Sequence, residues 1–161
     1  MIEVATSSPE GTRAVAGAVA GLVLAGDLLV LAGDLGAGKT AFTQGLGAAL
    51  GVTERITSPT FTLAQRYRGT DLTVHHLDVY RLSGPEEAAD LDIPSLLDDD
   101  AVTVVEWGDT IRPALPPDLL EVRFTFGEGD DDRLIALTAV GPSWSARAGA
   151  LGRALEAVGS C

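Results

Sequence analysis

Eight consecutive residues, Gly33-Asp34-Leu35-Gly36-Ala37-Gly38-Lys39-Thr40, constrain this chain more than any other stretch. They satisfy every fixed position of the pattern G-x-x-x-x-G-K-[ST], a loop that wraps an anion in backbone N–H groups. The glycines permit the turns that aim those N–H groups inward. A helix starting at the loop adds the positive end of its dipole. Lys39 would reach the β- and γ-phosphates as a compact point charge, and Thr40 would offer a hydroxyl to Mg²⁺. The expected ligand is a nucleoside triphosphate with magnesium.

A glycine-rich octet arises by chance, so its flanks matter. Leu28 to Ala32 is a short, continuous apolar run, the pattern of a strand buried on both faces. Lys39 to Leu50 has helical spacing, with Phe42, Leu46 and Leu50 on one side and Gly51 as a C-terminal cap. Of eleven cationic residues ten are Arg, and the only lysine is Lys39. A base composition that favours Arg codons explains the missing lysines but not the position of the one that remains. A planar guanidinium fits poorly where a loop needs a slim ammonium.

Elsewhere the pattern is that of one α/β domain over residues 1–161, a length that suits a single core. Met1 to Ala5 reads as an edge strand. Ser8-Pro9-Glu10 opens a helix expected to run to about Ala25 and to end near Gly26. Thr60 to Arg68 and Leu72 to Tyr80 form an expected hairpin about the turn Arg68-Gly69-Thr70-Asp71. Pro85 to Leu91 and Pro94 to Leu97 read as short helical pieces, and Ala101 to Glu106 as a second buried strand. Leu119 to Phe126 and Arg133 to Val140 flank the acidic turn Gly127 to Asp132 as another hairpin, and Ser143 to Val158 closes the chain as one amphipathic helix.

The formal net charge of −12 argues against direct binding of tRNA or DNA, which needs a basic surface to displace counterions. The stretch from Ala14 to Gly26 is shorter than the about 20 apolar residues that span a bilayer. The start of the chain also lacks the features of a secretory signal. The expectation is a cytoplasmic protein without a membrane association. The lone cysteine, Cys161, excludes an intrachain disulfide and a thiolate cluster. The acidic runs Asp98 to Asp100 and Asp130 to Asp132 lack the alternating ligand spacing of a calcium loop and read as solvated turns.

A triphosphate site needs a carboxylate for Mg²⁺ and a group that positions water. Glu106 ends the run Val102-Thr103-Val104-Val105, and Asp78 follows Val74-His75-His76-Leu77 in the same manner. Either acid is also what an ordinary strand terminus offers. Thr57-Ser58-Pro59-Thr60-Phe61-Thr62 is a hydroxyl-rich, proline-stiffened segment suited to sensing a γ-phosphate, or a plain loop into a strand. His75 and His76 are adjacent on a strand, face opposite sides and cannot form a two-ligand metal site. Trp107 suits either the nucleotide or the core.

GDLGAGKT, then SPTF at Ser58 to Phe61, then H-x-D-x-Y-R at His76 to Arg81, then Glu106-Trp107, in this order and in a chain of this size, closely resemble the TsaE (formerly YjeE) family. The resemblance covers about Met1 to Val140. It implies a P-loop NTPase-like, three-layer α/β fold with a mixed, mostly parallel central sheet and peripheral antiparallel strands. It implies binding of ATP and Mg²⁺, and ATP hydrolysis that supports repeated turnover of a partner, the TsaB–TsaD complex. That complex modifies the tRNA adenosine beside the anticodon with threonylcarbamoyl, so tRNA is met only indirectly. By the same resemblance Thr40 and Glu106 are the expected magnesium ligands and Asp78 an acid required for hydrolysis. Arg133 resembles a family residue near the nucleotide.

Three other readings make different demands. A regulatory GTPase reads guanine with an Asn-Lys-x-Asp segment, and this chain has no Asn and no second Lys. A small-molecule P-loop kinase carries an arginine-bearing lid, for which Arg112-Pro113 and Arg66 to Arg68 are the hints present. A non-enzymatic nucleotide-binding scaffold would leave turnover of the modifying complex unaffected.

Overall fold

The computed structural model describes residues 1–34, 36–57, 64–80, 86 and 100–159. It contains a seven-stranded mixed sheet. The strands are β1 (Ile2–Thr6), β2 (Leu28–Gly33), β3 (Ala64–Arg68), β4 (Thr73–Asp78), β5 (Ala101–Glu106), β6 (Leu119–Phe126) and β7 (Arg133–Val140), in the order β1-β7-β6-β2-β5-β4-β3. The four central strands β6, β2, β5 and β4 are mutually parallel. The pairs β1–β7, β6–β7 and β3–β4 at the two flanks are antiparallel. This is the mixed sheet with a parallel centre and antiparallel periphery that was expected.

Alternation sorts the core into two faces. Leu29 and Leu31 of β2 join Val102, Val104, Leu120 and Val122 on one face, under α1 (Pro9–Ala20) and α2 (Lys39–Ala49). Leu28 and Val30 join Leu77, Val105 and Leu119 on the other, where Ile111 and Leu115 from a 3-10 helix (Gly108–Ala114) and the residue after it cover them. Two-sided burial explains why β2 and β5 read as unbroken apolar runs. Phe42 of α2 meets Phe124 of β6 edge to face, with ring centres 5.8 Å apart, and so seats α2 against the sheet. Helices α1 and α2 approach closely at Gly45, where a β-carbon would lie 2.6 Å from the Arg13 backbone.

Ser8 caps α1 as expected, its hydroxyl accepting the Gly11 N–H at 3.0 Å. The helix ends at Ala20, short of the expected Ala25. Gly21 is its C-cap, and Asp27 then takes the Leu24 N–H at 2.7 Å, tying Leu24 to Asp27 into a turn. The terminal helix is also corrected. It is two helices, α3 (Pro142–Ala146) and α4 (Ala148–Gly159), broken at Arg147. The Arg147 guanidinium reaches back to both carboxylate oxygens of Asp27, at 2.6 and 2.9 Å, and to the Leu22 carbonyl at 2.9 Å.

The hairpins β3–β4 and β6–β7 pair as expected, the second in register from Leu119 opposite Val140 to Phe126 opposite Arg133. β4 ends at Asp78 rather than Tyr80, because the Asp78 carboxylate accepts the Tyr80 N–H and turns the chain. The expected helical pieces at Pro85 to Leu91 and Pro94 to Leu97 lie outside the described residues, apart from Glu86. So do the first part of the expected Thr60 to Arg68 strand, Asp98 and Asp99, and Cys161. Among the described residues, no helix is long and apolar enough to cross a membrane.

Candidate functional site

The parallel centre brings three chain segments to one edge of the sheet. β2 delivers Gly33 beside Phe124 of β6, and β4 and β5 end level, with Asp78 opposite Glu106. In such a sheet the carboxyl ends of the strands form the crevice where ligands bind. The loop from Gly33 to Thr40 turns over this edge with positive φ at Gly33, Gly36 and Gly38. At Gly33 (φ 144°) a β-carbon would lie 2.7 Å from the Phe124 carbonyl oxygen, so glycine is required twice over. Gly38 is the N-cap of α2 and makes no side-chain cap, so the first N–H groups of the helix are left to a ligand. Leu35 lies outside the described residues.

Lys39 is 5% exposed and folds back across the loop. Its Nζ donates to the Gly33 carbonyl at 2.7 Å and the Asp34 carbonyl at 2.8 Å, and lies 4.0 Å from the centre of the Trp107 ring. Burial pushes the ammonium below its ordinary pKa. The carboxylates of Glu106, Asp78, Asp109 and Asp34 oppose that shift without cancelling it.

Thr40, the next residue, donates its hydroxyl to Glu106 Oε1 at 3.3 Å, and the other oxygen of Glu106 is paired with His76 Nε2. A hydroxyl and a carboxylate brought together at the helix start are hard oxygen donors. They suit Mg²⁺, which takes one or two protein ligands and keeps several waters. Asp78 completes the rim. Gly36, Gly38, Lys39, Thr40, Asp78, Glu106 and Trp107 line one cavity of about 350 Å³.

A second cavity, of about 180 Å³, lies on the other side of the loop between the start of α1 and the β6–β7 hairpin. Ser8, Pro9, Thr12, Asp131 and Arg133 line it together with Gly36, Ala37, Gly38 and Ala41. Arg133 binds the loop from this side, its Nε donating to the Ala37 carbonyl at 3.2 Å and Nη2 to the Gly36 carbonyl at 3.4 Å. Its Nη1 holds the carbonyls of Asp130 and Asp132, both at 2.8 Å. One guanidinium thus braces the loop against the hairpin turn.

Of the described residues named from the sequence, Gly36, Ala37, Gly38, Lys39, Thr40, Asp78, Glu106 and Arg133 line these two cavities, while Gly33 and Asp34 line neither and hold the Lys39 ammonium on their carbonyls. Trp107, left open between nucleotide and core, lines the larger cavity and also packs against the core. It packs on the second face of the sheet, and its ring lies on Lys39 and 4.9 Å from the ring of Tyr80. It is also the one described non-glycine residue with positive φ, at 65°.

Two features escaped sequence reasoning. The lining by Ser8, Pro9 and Thr12 had no local signal, because it depends on α1 packing against α2. The contact of His76 with Glu106 had a partial one, since period-two alternation places His76 on the face of Asp78. The segment Ser58 to Thr62, expected to sense a γ-phosphate, lies outside the described residues, as does Arg81.

Comparison with known proteins agrees with this layout. A sequence model of the family described as "Threonylcarbamoyl adenosine biosynthesis protein TsaE" matches residues 6–135. The chain is 42% identical over 136 residues to the tRNA threonylcarbamoyladenosine biosynthesis protein TsaE of Bacillus subtilis, covering 84% of each chain. It is 43% identical over 133 residues to the protein of that name from Streptomyces coelicolor, covering 79% of this chain and 89% of the relative. The crystal structure of YdiB from Bacillus subtilis superposes with a TM-score of 0.79 at 36% identity, over 94% of each chain.

Proposed function

The chain belongs to the TsaE family of tRNA threonylcarbamoyladenosine biosynthesis, and from that premise we propose that it is a magnesium-dependent ATPase that sustains turnover of the TsaB–TsaD complex. The observation that carries the reading is the meeting of Lys39, the Thr40–Glu106 pair and Asp78 around one cavity at the carboxyl edge of the parallel strands.

Each group has a role set by its position. The loop amides and the N-terminus of α2 hold the phosphates. The Lys39 ammonium, held on loop carbonyls, exchanges onto phosphate oxygens and stabilises the charge that develops there. Thr40 and Glu106 would hold a magnesium ion, which would supply positive charge against the phosphates. Asp78, half-buried at the rim, orients the water whose oxygen bonds to the γ-phosphorus as the bond to the β-phosphate oxygen breaks, giving ADP and phosphate. The second cavity takes the nucleoside, with Arg133 fixing the loop beside it.

The acidic balance, −12, suits a protein whose target is another protein and which meets tRNA only through that partner. A cytoplasmic location is part of the same proposal.

The test is a reconstituted modification reaction with the partner complex limiting and tRNA in excess. Addition of this protein and ATP should carry modification through many turnovers, and Lys39→Ala should leave it near one. Full modification without the protein would end the proposal. Transfer of the γ-phosphate to a metabolite would replace it with a kinase.

A further inference from the structure

His76 is 0% exposed and lies beneath Glu106, itself 3% exposed. Parallel pairing puts His76 opposite Val104 and Asp78 opposite Glu106, so the imidazole lies diagonally below the carboxylate on the face that carries α1 and α2. Nε2 pairs with Glu106 Oε2, while Oε1 takes the Thr40 hydroxyl. The other ring nitrogen, Nδ1, is buried and has no hydrogen-bond partner among the described residues. That orphan assigns the tautomer from the hydrogen-bond network. A hydrogen on Nδ1 would be a buried donor without an acceptor and would leave Nε2 with only a lone pair to offer an anion. A hydrogen on Nε2 avoids both costs and donates to Glu106.

A glutamate has three side-chain torsions, and a buried ligating carboxylate binds a cation well only when they are set in advance. Hydrogen bonds from groups behind the ligands do this in metal sites generally. We propose that His76 is a positioning residue. By donating from Nε2 to Oε2 it holds Glu106 so that Oε1 faces Thr40 and the cavity, and it thereby sets the affinity of the site for a divalent cation. The inference rests on the magnesium-ATPase reading above. It adds that the requirement for the cation is governed by a residue that touches neither the cation nor the nucleotide.

Two substitutions separate donation from packing. His76→Phe keeps a ring in the pocket and removes the donor. His76→Gln places an amide N–H near the position of Nε2. The probe is Mn²⁺, its binding to the ADP-loaded protein read by electron paramagnetic resonance, with the metal-free affinity for ADP measured alongside. His76→Phe should weaken Mn²⁺ by about 10- to 100-fold, the usual effect of losing such an outer partner, with ADP affinity unchanged. His76→Gln should recover most of the loss.

Unchanged Mn²⁺ affinity in folded His76→Phe overturns the proposal, as does an equal loss in both variants. If His76→Phe does not fold, His76→Asn, whose amide stops short of Glu106, replaces it against His76→Gln and is read the same way. Failure of the unsubstituted protein to bind nucleotide with Mn²⁺ would instead overturn the ATPase reading, and this inference with it.

Discussion

The ammonium of Lys39 lies 4.0 Å from the centre of the Trp107 ring while donating to the carbonyls of Gly33 and Asp34. A cation so placed gains from the ring's negative face as well as from its two carbonyl partners. Those contacts suit a compact ammonium, whereas a guanidinium is a planar fork of different shape and donor geometry. Lys39→Ala and Lys39→Arg are therefore both expected to slow ATP hydrolysis by about 10²- to 10³-fold, the usual loss when one preorganised donor is removed. Phosphate release at saturating ATP and Mg²⁺ measures it. Near-normal activity in Lys39→Arg would refute the point-charge argument.

The same lysine is the only one in the chain, so a sample labelled in lysine gives one side-chain resonance. Burial lowers its pKa, so as pH rises Lys39 should lose its charge before an exposed lysine does. Nucleotide affinity should fall over that same alkaline interval. ADP, by adding negative charge beside Nζ, should move the midpoint up, and Glu106→Gln, by removing the carboxylate that raises it most, should move it down. An NMR titration of the three states decides the signs, and a midpoint at or above that of free lysine would contradict the burial argument.

Gly45→Ala tests the contact between α1 and α2. In an exposed helix interior this change usually stabilises by about 1 kcal/mol. Here the new methyl would lie 2.6 Å from the Arg13 backbone, so the sign should reverse to a loss of about 1–3 kcal/mol as the helices part. Denaturant unfolding measures it, and a more stable variant would show that the helices separate without cost.

Arg147→Ala removes a bidentate partner from Asp27, which is 8% exposed. Leaving a buried carboxylate unpaired costs about 3 kcal/mol. Asp27 precedes β2, at the end of the strand away from the phosphate loop, so nucleotide affinity should stay unchanged while the thermal midpoint falls. A matching loss of affinity would mean that the two ends of the sheet communicate.

Arg133→Ala should act the other way, with little change in stability and an ADP affinity weaker by about tenfold, the equivalent of one charged hydrogen bond. The reason is that the guanidinium braces the carbonyls of Gly36 and Ala37 from outside the loop. Calorimetric titration with ADP is the measurement, and unaltered affinity would assign Arg133 to the hairpin alone.

What was legible in the sequence was local. The loop could be read because its mechanism needs eight contiguous residues between a strand and a helix, and the β6–β7 hairpin because alternation runs up to an acidic turn on both sides. The misread ends were decided at a distance. Leu22, Val23 and Leu24 continue the composition of α1, yet Asp27 claims the Leu24 N–H. The break at Arg147 depends on that same Asp27, 120 residues earlier in the chain. The pairing of His76 with Glu106 needed the strand order, which places β4 beside β5 and which no spacing within either strand encodes.

The two cavities share Gly36 and Gly38, so the phosphate loop is a partition between them. In the proposed reading the phosphates would lie in one chamber and the nucleoside in the other, so a free phosphate or a free nucleoside would leave one chamber to water. Only a molecule that straddles the partition engages both. On that reading the loop would act as a gauge of span, rewarding a ligand for its reach across the backbone as much as for the charge it carries.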